Sequence, residues 1–383
     1  MIPVFEPVIG EEEIEAVVSA LRRGEISGSF GKALQEFERE FAAYCGCKYG
    51  VAVTSGTTAL HLAVAATGIK PGDEVLVSAS TNIATALAAV HNNAIPVPVD
   101  SEEVTWNINL DLIEPLITPR TRAIIPVHLY GHPVDMDRLM EIAKRHNLVV
   151  IEDCAESHGA TCRGKMTGSF GDMGCFSFYA NKVITTGEGG MVITNDESLA
   201  ERLRLLRNLA FTKPRFRHEV AGYNFRMTGY QAAMGLAQLH KIDHIIAEKR
   251  RVAHTYNHYL EGIPGLQLPV ELDWAFNVYW MYAIVVKPEF GITRDQLADA
   301  LLAGGIETRT FFCPMNQQPC LQSLPGFRNV PCPVADRLWE TGLYLPSSWN
   351  LTEKTIKHIS ESIQSARQRR GEAIQRDYRD KVL

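Results

Sequence analysis

The fold is decided by one stretch of sequence, TRAIIPVHLYGHPVDMDRLMEIAKRHNLVVIED, at residues 121–153. Its two ends, RAIIPVHLY and NLVVIED, are apolar runs of strand length, and MDRLMEIAKRH between them has the spacing of an amphipathic helix. A strand that is apolar on both faces, followed by a helix and a second such strand, is typical of a parallel sheet covered on both sides.

The same alternation extends towards the N-terminus. The predicted segments are, in order, a strand YGVAVTS, a helix TTALHLAVAAT, a strand DEVLVSAS, a strand NAIPVPVD and a helix around INLDLIEPLI. Farther along, the strands CFSFY (175–179) and GGMVITND (189–196) have no helix-sized segment between them, which allows one of them to run antiparallel. We therefore predict an α/β fold with a mostly parallel central sheet sandwiched by helices.

The character of the chain changes after residue 195. Long charged helical stretches follow, and from about residue 277 a smaller α+β unit begins with the strand VYWMYAIVV and the helix TRDQLADALLAG. We predict a large domain at residues 1–245, which includes the N-terminal segment, and a small C-terminal domain at residues 246–383. The basic tail SARQRRGEAIQRDYRDKVL is weakly amphipathic and is expected to form a solvated or frayed helix.

Composition excludes several classes of protein. The 383 residues are 46% hydrophobic and 21% charged, and 38 basic against 44 acidic residues give a net charge of −6. This balance gives no overall field for nucleic acid or an anionic membrane, so neither partner is expected. No apolar run is long enough to span a bilayer, and the N-terminus lacks the basic start of a signal peptide. The eight cysteines form no CxxC pair, so we expect a cytoplasmic protein without a metal site.

Three segments place unusual chemistry at the ends of strands, where parallel sheets bind ligands. Ser55-Gly56-Thr57-Thr58 joins a strand to a helix, and such a helix N-terminus either binds an anion or is simply capped by the serine. Asp153 ends NLVVIED and needs a cationic partner or several donors, although a structural ion pair or a helix cap would also explain it. Lys182 ends GCFSFYANK among apolar and small neighbours, which suit either a desolvated amine for Schiff-base chemistry or an ordinary surface charge.

Other motifs do not carry a function. Residues 159–165 have the spacing of a phosphate-binding loop, but Met166 stands where a magnesium-binding hydroxyl is required and no helix pattern follows. His128 and His132 are four residues apart on a strand-to-loop stretch, so they do not share a helix face as metal ligands would. The sequence contains no GxSxG nucleophile elbow.

In their order along the chain, these segments resemble the DegT/DnrJ/EryC1/StrS family of nucleotide-sugar aminotransferases. The stretches that carry the resemblance are SGTTALHLA, PVHLYGHPVDMD, VIEDCAESHGA, GSFGDMGCFSFYANKVITTGEGGMVITND and GYNFRMT. The resemblance covers nearly the whole chain and implies the aspartate aminotransferase fold, which is fold type I of the enzymes that use pyridoxal 5′-phosphate. It implies that Lys182 is the catalytic Schiff-base lysine and that Asp153 pairs with the ring nitrogen of the cofactor.

The resemblance also implies further cofactor contacts. Glu156 stands near the ring hydroxyl, where the family often has glutamine. The amides of Gly56 and Thr57 and the hydroxyl of Ser177 match phosphate contacts. Asn224 matches an asparagine that reaches the phosphate from the neighbouring subunit, so the resemblance implies a homodimer with shared active sites.

Two positions depart from the family pattern. Relatives usually carry an aromatic residue that stacks on the cofactor where SASTNIATA places Asn82. A polar amide offers no aromatic face, so we expect weaker cofactor binding or an intruding residue from elsewhere in the chain. Relatives often read PMHxQP where this chain reads CPMNQQP, so Asn316 is a candidate for hydrogen bonds to sugar hydroxyls.

Within the family, four stretches look most like perosamine synthases: NVYWMYAIVV, FGITRDQL, GIETRTFF and HEVAGYNFRMT. Those enzymes move an amino group from L-glutamate to C4 of GDP-4-keto-6-deoxy-mannose, a product suited to surface polysaccharide such as O-antigen. Arg309 is a candidate for binding a substrate anion and His218 for the rim of the site, and a surface role suits each equally well.

Three alternatives remain open at this point. They are the same reaction on a dTDP- or UDP-linked keto sugar, a sugar dehydration that uses the same cofactor, and a non-catalytic regulatory protein.

Overall fold

The computed structural model describes residues 1–382, and side chains are described for residues 1–368. The strands are β1 (Tyr49–Val53), β2 (Glu74–Ser78), β3 (Ile95–Val99), β4 (Thr121–Ile125), β5 (Val149–Asp153), β6 (Thr161–Cys162), β7 (Lys165–Met166), β8 (Met173–Ser177), β9 (Gly190–Thr194), β10 (Leu266–Gln267), β11 (Ala275–Phe276), β12 (Tyr282–Val286), β13 (Arg309–Thr310) and β14 (Gly342–Leu345). The helices are α1 (Glu11–Arg22), α2 (Ala33–Tyr44), α3 (Gly56–Ala66), α4 (Ala84–Val90), α5 (Met136–His146), α6 (Glu197–Arg207), α7 (Gly229–Leu239), α8 (Ile242–Leu260), α9 (Arg294–Ala303), α10 (Pro319–Gln322), α11 (Pro333–Thr341) and α12 (Glu353–Val382).

The central sheet has seven strands in the order β1-β9-β8-β5-β4-β2-β3. β2, β3, β4, β5 and β8 pair in parallel, whereas β9 runs antiparallel to both of its neighbours. The predicted α/β sheet and its antiparallel strand are therefore confirmed.

Helices cover both faces of this sheet, and the alternation along β8 shows how. Met173 and Cys175 enter the apolar cluster that contains residues of α3, while Phe176 on the opposite face packs against Phe41 of α2. Because successive side chains of a strand point to opposite faces, each strand contributes to both layers of the core. This explains why the strand sequences lack a polar face.

One predicted helix is wrong. The stretch INLDLIEPLI forms two short 3₁₀ turns at Leu110–Leu112 and Glu114–Leu116 instead of an α-helix. Pro115 has no N–H to donate, and its ring clashes with the carbonyl four residues earlier, so an α-helix cannot continue through it. The strand predicted as RAIIPVHLY is also shorter, because β4 ends at Ile125, just before Pro126.

A second, four-stranded sheet in the order β10-β12-β14-β13 forms the core of the C-terminal unit. The N-terminal segment lies against this unit: Ile2 N donates to Gly305 O (2.7 Å), and Ser347 N donates to Val4 O (2.9 Å). Residue 245, where the sequence predicts a domain boundary, lies inside α8. A continuous helix therefore joins the two units at this point.

The basic tail lies in α12, which agrees with the predicted helix, although the side chains from residue 369 onward lie outside the described residues. Among the helices that the structure describes, none combines the length and apolarity needed to cross a membrane.

Candidate active site

The main cleft lies at the carboxyl edge of the central sheet and has a volume of about 290 Å³. Strand register brings the three predicted segments together there: Ser177 and Val53 both pair with Gly190, and Asp153 pairs with Cys175 of β8. The residues that line the cleft are Ser55, Gly56, Thr57, Leu60, Thr81, Asn82, Ala84, Asp153, Ala155, Glu156, Ser177, Tyr179, Asn181, Lys182, Glu188, Trp280, Phe312 and Tyr344.

The N-terminus of α3 forms one end of the cleft. Ser55 caps the helix, because its Oγ accepts a hydrogen bond from Thr58 N (3.1 Å), and Ala59 N donates to Ser55 O. The amides of Gly56 and Thr57 precede these bonds, so they can bind an anion at the positive end of the helix dipole. A Cβ atom on Gly56 would lie 2.6 Å from Ser177 Cβ, so only glycine allows the helix to sit this close to Ser177.

Asp153 is buried at the end of β5. Thr85 Oγ1 donates to its Oδ2 (2.8 Å), and Ala155 N donates to its Oδ1 (3.1 Å). Burial raises the pKa of the Asp153 carboxyl, although these two donors and the positive charge of Lys182 oppose the shift. A buried carboxylate of this kind is suited to pairing with a cation that enters the cleft.

Glu156 follows Asp153 on the same loop and is also buried. Its Oε2 accepts a hydrogen bond from Tyr130 N (2.7 Å). Burial raises the pKa of Glu156 to about 7, against the opposing effects of Lys182 and the Tyr130 amide. The residue therefore changes its protonation near neutral pH.

Lys182 follows β8 in a turn closed by the hydrogen bond from Lys182 N to Tyr179 O (2.9 Å). Its Nζ lies 3.8 Å from the centroid of the Trp280 ring. Burial lowers the pKa of the Lys182 amine, while the negative charges of Glu156 and Asp153 partly offset this. A desolvated amine is closer to the neutral form that attacks a carbonyl carbon.

The C-terminal unit supplies an aromatic wall to the cleft, which we define as Trp280, Phe312 and Tyr344. Tyr130 packs behind this wall, with its ring nearly parallel to those of Trp280 and Phe312 (interplanar angles 17° and 12°). The sequence did not identify these residues as part of the site. Trp280 and Phe312 lie in the stretches NVYWMYAIVV and GIETRTFF, where a run of aromatic residues beside a strand was the available signal, and Tyr344 lies in β14.

Asn82 lines the cleft but keeps an exposed side chain. Its Oδ1 accepts a hydrogen bond from Ala84 N (3.0 Å) at the start of α4. This local bond accounts for the asparagine as a helix-start residue. It leaves the cleft without an aromatic ring at this position.

The remaining candidate residues lie outside the cleft lining. Arg309 is exposed and pairs with Glu307 (2.6 Å), but its strand register places it opposite Tyr344 of the aromatic wall. His218 is exposed, and its Nδ1 donates to Leu209 O (2.8 Å). Asn316 is buried, and its Nδ2 donates to Asp336 Oδ1 (3.1 Å).

Asn224 is also exposed, and it forms an isolated bridge with Asn208. The structure thus brings Gly56, Thr57, Asp153, Glu156, Ser177 and Lys182 together in one cleft. Asn224, His218, Arg309 and Asn316 lie outside its lining.

The histidine pair and the stretch with phosphate-loop spacing, to which the sequence assigns no function, have structural roles. Val134 N donates to His128 Nδ1, so the His128 Nε2–H faces Glu152, whose carboxylate also accepts from the amides of Gly168, Phe170 and Gly171. Residues 161–166, within and next to the stretch with phosphate-loop spacing, form the hairpin of β6 and β7. His128 and Glu152 therefore bind backbone amides of neighbouring loops, and residues 161–166 are part of a structural hairpin.

Nearly the whole chain is similar to proteins of one known family. The chain matches the DegT/DnrJ/EryC1/StrS aminotransferase family over residues 7–364. A GDP-perosamine synthase from Caulobacter vibrioides is 44% identical over 360 residues, which cover 94% of this chain and 96% of that protein. A GDP-perosamine synthase from Escherichia coli O157:H7 is 42% identical over 365 residues, which cover 94% and 97%.

A solved structure is also similar. The crystal structure of S. venezuelae DesV in complex with a ketimine intermediate matches with a TM-score of 0.86 at 38% identity, covering 93% of this chain and 94% of that one. Enzymes of this family use pyridoxal 5′-phosphate. The cleft fits that cofactor, because it offers an anion cradle at α3 and Ser177, a buried carboxylate at Asp153 and a desolvated amine at Lys182.

Asn82 yields the first testable prediction. Asn82→Tyr is expected to bind pyridoxal 5′-phosphate about three- to tenfold more tightly, because a ring at this position adds stacking on the cofactor. The apparent Kd is measured by titrating the cofactor-free protein and following its absorbance. Asn82→Ala is the control, since it removes the amide without adding a ring and is expected to leave the Kd unchanged. Equal Kd values for Asn82→Tyr and the natural protein would show that position 82 does not face the ring.

Glu156 yields a prediction about pH. In the unfolded chain its carboxyl ionises near the ordinary value of 4.5, whereas in the folded chain its pKa is about 7. Between these values the folded state holds the extra proton, so raising the pH through this window reduces stability. Glu156→Gln removes this loss.

The unfolding free energy of Glu156→Gln, relative to that of the natural protein, is therefore expected to rise between pH 5 and pH 8. Urea denaturation of the cofactor-free protein at both pH values measures it. Glu141→Gln, on the exposed face of α5, is the control and should keep a constant difference. A difference that stays constant for Glu156→Gln as well would contradict the raised pKa.

Proposed function

Because this chain belongs to the DegT/DnrJ/EryC1/StrS family of aminotransferases, we propose that it moves an amino group from L-glutamate to C4 of GDP-4-keto-6-deoxy-D-mannose, giving GDP-perosamine. The observation that carries the proposal is the meeting of Lys182, Asp153 and the N-terminus of α3 in one cleft. The sugar is proposed from the Caulobacter and E. coli relatives, which are named GDP-perosamine synthases.

When bound, pyridoxal 5′-phosphate supplies an electron sink for the carbanion that forms at the substrate carbon. Asp153 would keep the ring nitrogen protonated, because a buried carboxylate is stabilised by a cation beside it. The amides of Gly56 and Thr57 and the Ser177 hydroxyl would hold the phosphate group. These residues would hold the cofactor at its ring and its phosphate, with the Lys182 amine in the same cleft.

Lys182 carries the proton in both half-reactions. As a neutral amine, which its lowered pKa favours, it takes the proton from the carbon that bears the amino group. The Lys182 Nζ would hold that proton as an ammonium until it is returned, and the same atom would serve the half-reaction on the keto sugar. Glu156, held by the Tyr130 amide, would face the ring hydroxyl and exchange a hydrogen bond with it.

Two alternatives, a sugar dehydration and a regulatory role without catalysis, fit the cleft less well. Sugar dehydration in this family is expected to use a histidine in place of the cofactor lysine, and this chain keeps Lys182 in a desolvated position. A regulatory protein without catalysis has no need for a buried carboxylate and a buried amine in one cleft. A dTDP- or UDP-linked keto sugar is the nearest alternative, since the reaction at C4 would use the same groups.

An absorbance spectrum tests the proposal. The purified protein with pyridoxal 5′-phosphate is expected to lose its visible cofactor band on addition of L-glutamate and to regain it on addition of GDP-4-keto-6-deoxy-mannose. Mass spectrometry of the sugar should then show an amine in place of the ketone. Lys182→Ala should show neither change because it has no amine to bond to the cofactor or move the proton. Lys165→Ala, an exposed lysine, is the matched control and should behave as the natural protein.

The outcomes separate the alternatives. Loss of the band without recovery would keep the aminotransferase and reject the GDP sugar, and dTDP- and UDP-linked keto sugars would then be tried in turn. A band that does not respond to glutamate would reject L-glutamate as the donor. A protein that shows no band after incubation with excess cofactor and removal of the unbound cofactor would reject the aminotransferase itself.

The proposed partner is a second copy of the chain. Ile14, Val18 and Leu21 lie one helical turn apart on α1 and are all exposed, which leaves an apolar stripe on the surface of the isolated chain. Such a stripe is suited to a two-fold symmetric contact. Asn224, exposed and outside the lining of the cleft of its own chain, would then reach the phosphate site of the partner.

A mixing experiment tests the shared site. Lys182→Ala and Asn224→Ala are each expected to be inactive or weakly active alone, because each lacks one component of every site. When the two variants are unfolded and refolded together, about half of the dimers contain one copy of each. Each mixed dimer has one site with both components, so about a quarter of the natural activity should return. Refolding either variant alone is the control. A mixture no more active than its parts would show that Asn224 does not serve the site of the neighbouring subunit.

We place the enzyme in the cytoplasm. All eight cysteines are free thiols, and six of them are buried, which fits a reducing compartment.

A further inference from the structure

The amine of Lys182 lies on the face of an aromatic ring that belongs to the other unit of the molecule. Its Nζ is 3.8 Å from the ring centroid of Trp280, well within the distance at which an ammonium is attracted to an indole face. Lys182 follows β8 of the large sheet, whereas Trp280 precedes β12 of the small one. The contact therefore joins the two units at the reactive atom.

Trp280 is held rigidly. Its Nε1 donates to Asn181 O (2.7 Å), a residue next to Lys182 in the chain, and the ring is buried. The ring of Tyr130 lies nearly parallel to it at 6.2 Å. The backbone is equally constrained, because a Cβ atom on Gly131 would lie 2.9 Å from Trp280 N. The indole face is thus fixed in front of the lysine.

Two carboxylates, Asp153 and Glu156, also attract the ammonium form of Lys182. In the working enzyme both would be engaged by the cofactor, Asp153 at the ring nitrogen and Glu156 at the ring hydroxyl. The released amine then needs another surface that favours its positive charge. The indole face of Trp280, 3.8 Å from the amine, is such a surface.

We propose that Trp280 is a positioning residue that holds the Lys182 amine on its indole face whenever the amine is not bonded to the cofactor. This rests on the proposed function in one respect, that Lys182 is the lysine that bonds to the cofactor. Trp280 keeps the amine within reach of the reacting carbon between the two proton transfers. It favours the ammonium over the neutral amine and so sets when the proton is returned.

The test measures how the reactivity of the Lys182 amine depends on pH in the cofactor-free protein. Cofactor-free protein is treated with acetic anhydride across a range of pH, and acetylation of Lys182 is quantified by peptide mass spectrometry. The variants are Trp280→Phe, which keeps a weaker ring face, and Trp280→Leu, which removes it. Phe312→Leu is the matched control, because it removes a ring from the same wall, whereas the ring contact of the Lys182 amine is with Trp280.

The midpoint pH of Lys182 acetylation is expected to fall in the order natural protein, Trp280→Phe, Trp280→Leu, by about half to one unit overall. Phe312→Leu should match the natural protein. The titratable groups that face the amine or the same cleft stay unchanged in all variants: Asp153, Glu156, His158, Tyr179, Glu188 and Tyr344. Equal midpoints, or a higher midpoint in Trp280→Leu caused by water entering the cleft, would overturn the proposal.

A second readout follows the glutamate half-reaction in a stopped-flow instrument. The rate constant at saturating glutamate should fall about ten- to a hundredfold in Trp280→Leu, with little change in the glutamate concentration that gives half the rate. Trp280→Phe should recover most of the rate. An increase in that half-saturating concentration at unchanged rate would assign Trp280 to substrate binding instead and overturn the proposal.

The two proposals fail in different ways. If the natural protein shows no response to glutamate, the proposed function fails, while the acetylation series still reports whether Trp280 holds the amine. If the natural protein responds to glutamate but the acetylation midpoints of the Trp280 variants do not fall in the expected order, only the proposed role of Trp280 fails. Circular dichroism of Trp280→Phe, the more conservative variant, is the check that the fold is retained.

Discussion

The antiparallel strand β9, inserted between β1 and β8, determines where every other part of the site lies. Its first residue, Gly190, is packed so tightly that a Cβ atom there would lie 2.3 Å from Ser55 O. This contact brings the start of α3 against the end of β8, where Ser177 and the turn to Lys182 follow. β5 lies on the other side of β8 and adds Asp153. An anion cradle, a carboxylate and an amine thereby converge at one edge of the sheet.

The two units of the molecule contribute different chemistry to the cleft. The large sheet supplies the charged and hydrogen-bonding groups, and the C-terminal unit supplies the aromatic wall of Trp280, Phe312 and Tyr344. Tyr130 connects them: its backbone, with φ of 53°, donates to Glu156, and its ring packs against the wall. A non-glycine residue in the left-handed region is costly, and it persists where surrounding contacts hold it. The protonation of Glu156 is thus coupled to the packing between the units.

Local sequence signals predicted the large sheet and marked Asp153 and Lys182 as unusual, without assigning them a function. Asp153 and Lys182 stood out because polar residues ended apolar strands, and the resemblance to a family gave them roles. The helix expected around INLDLIEPLI failed because Pro115 outweighed the apolar pattern. The aromatic wall was missed because its residues lie far from Lys182 in sequence, and only the docking of the second unit brings them together. The exposed position of Asn224 was equally beyond a local signal, since it depends on which surface the chain leaves uncovered.

The hydrogen bonds between the N-terminal segment and the C-terminal unit have a consequence for biosynthesis. Ile2 bonds to Gly305 and Val4 to Ser347, so these early residues have no backbone partners until more than three hundred further residues have been translated. Contacts of such long sequence separation form late and slowly. Until then the segment has unpaired backbone groups beside apolar side chains, and exposed segments of this kind are prone to aggregation. The aromatic wall belongs to the same C-terminal unit, so the cleft too can be completed only after that unit has been translated.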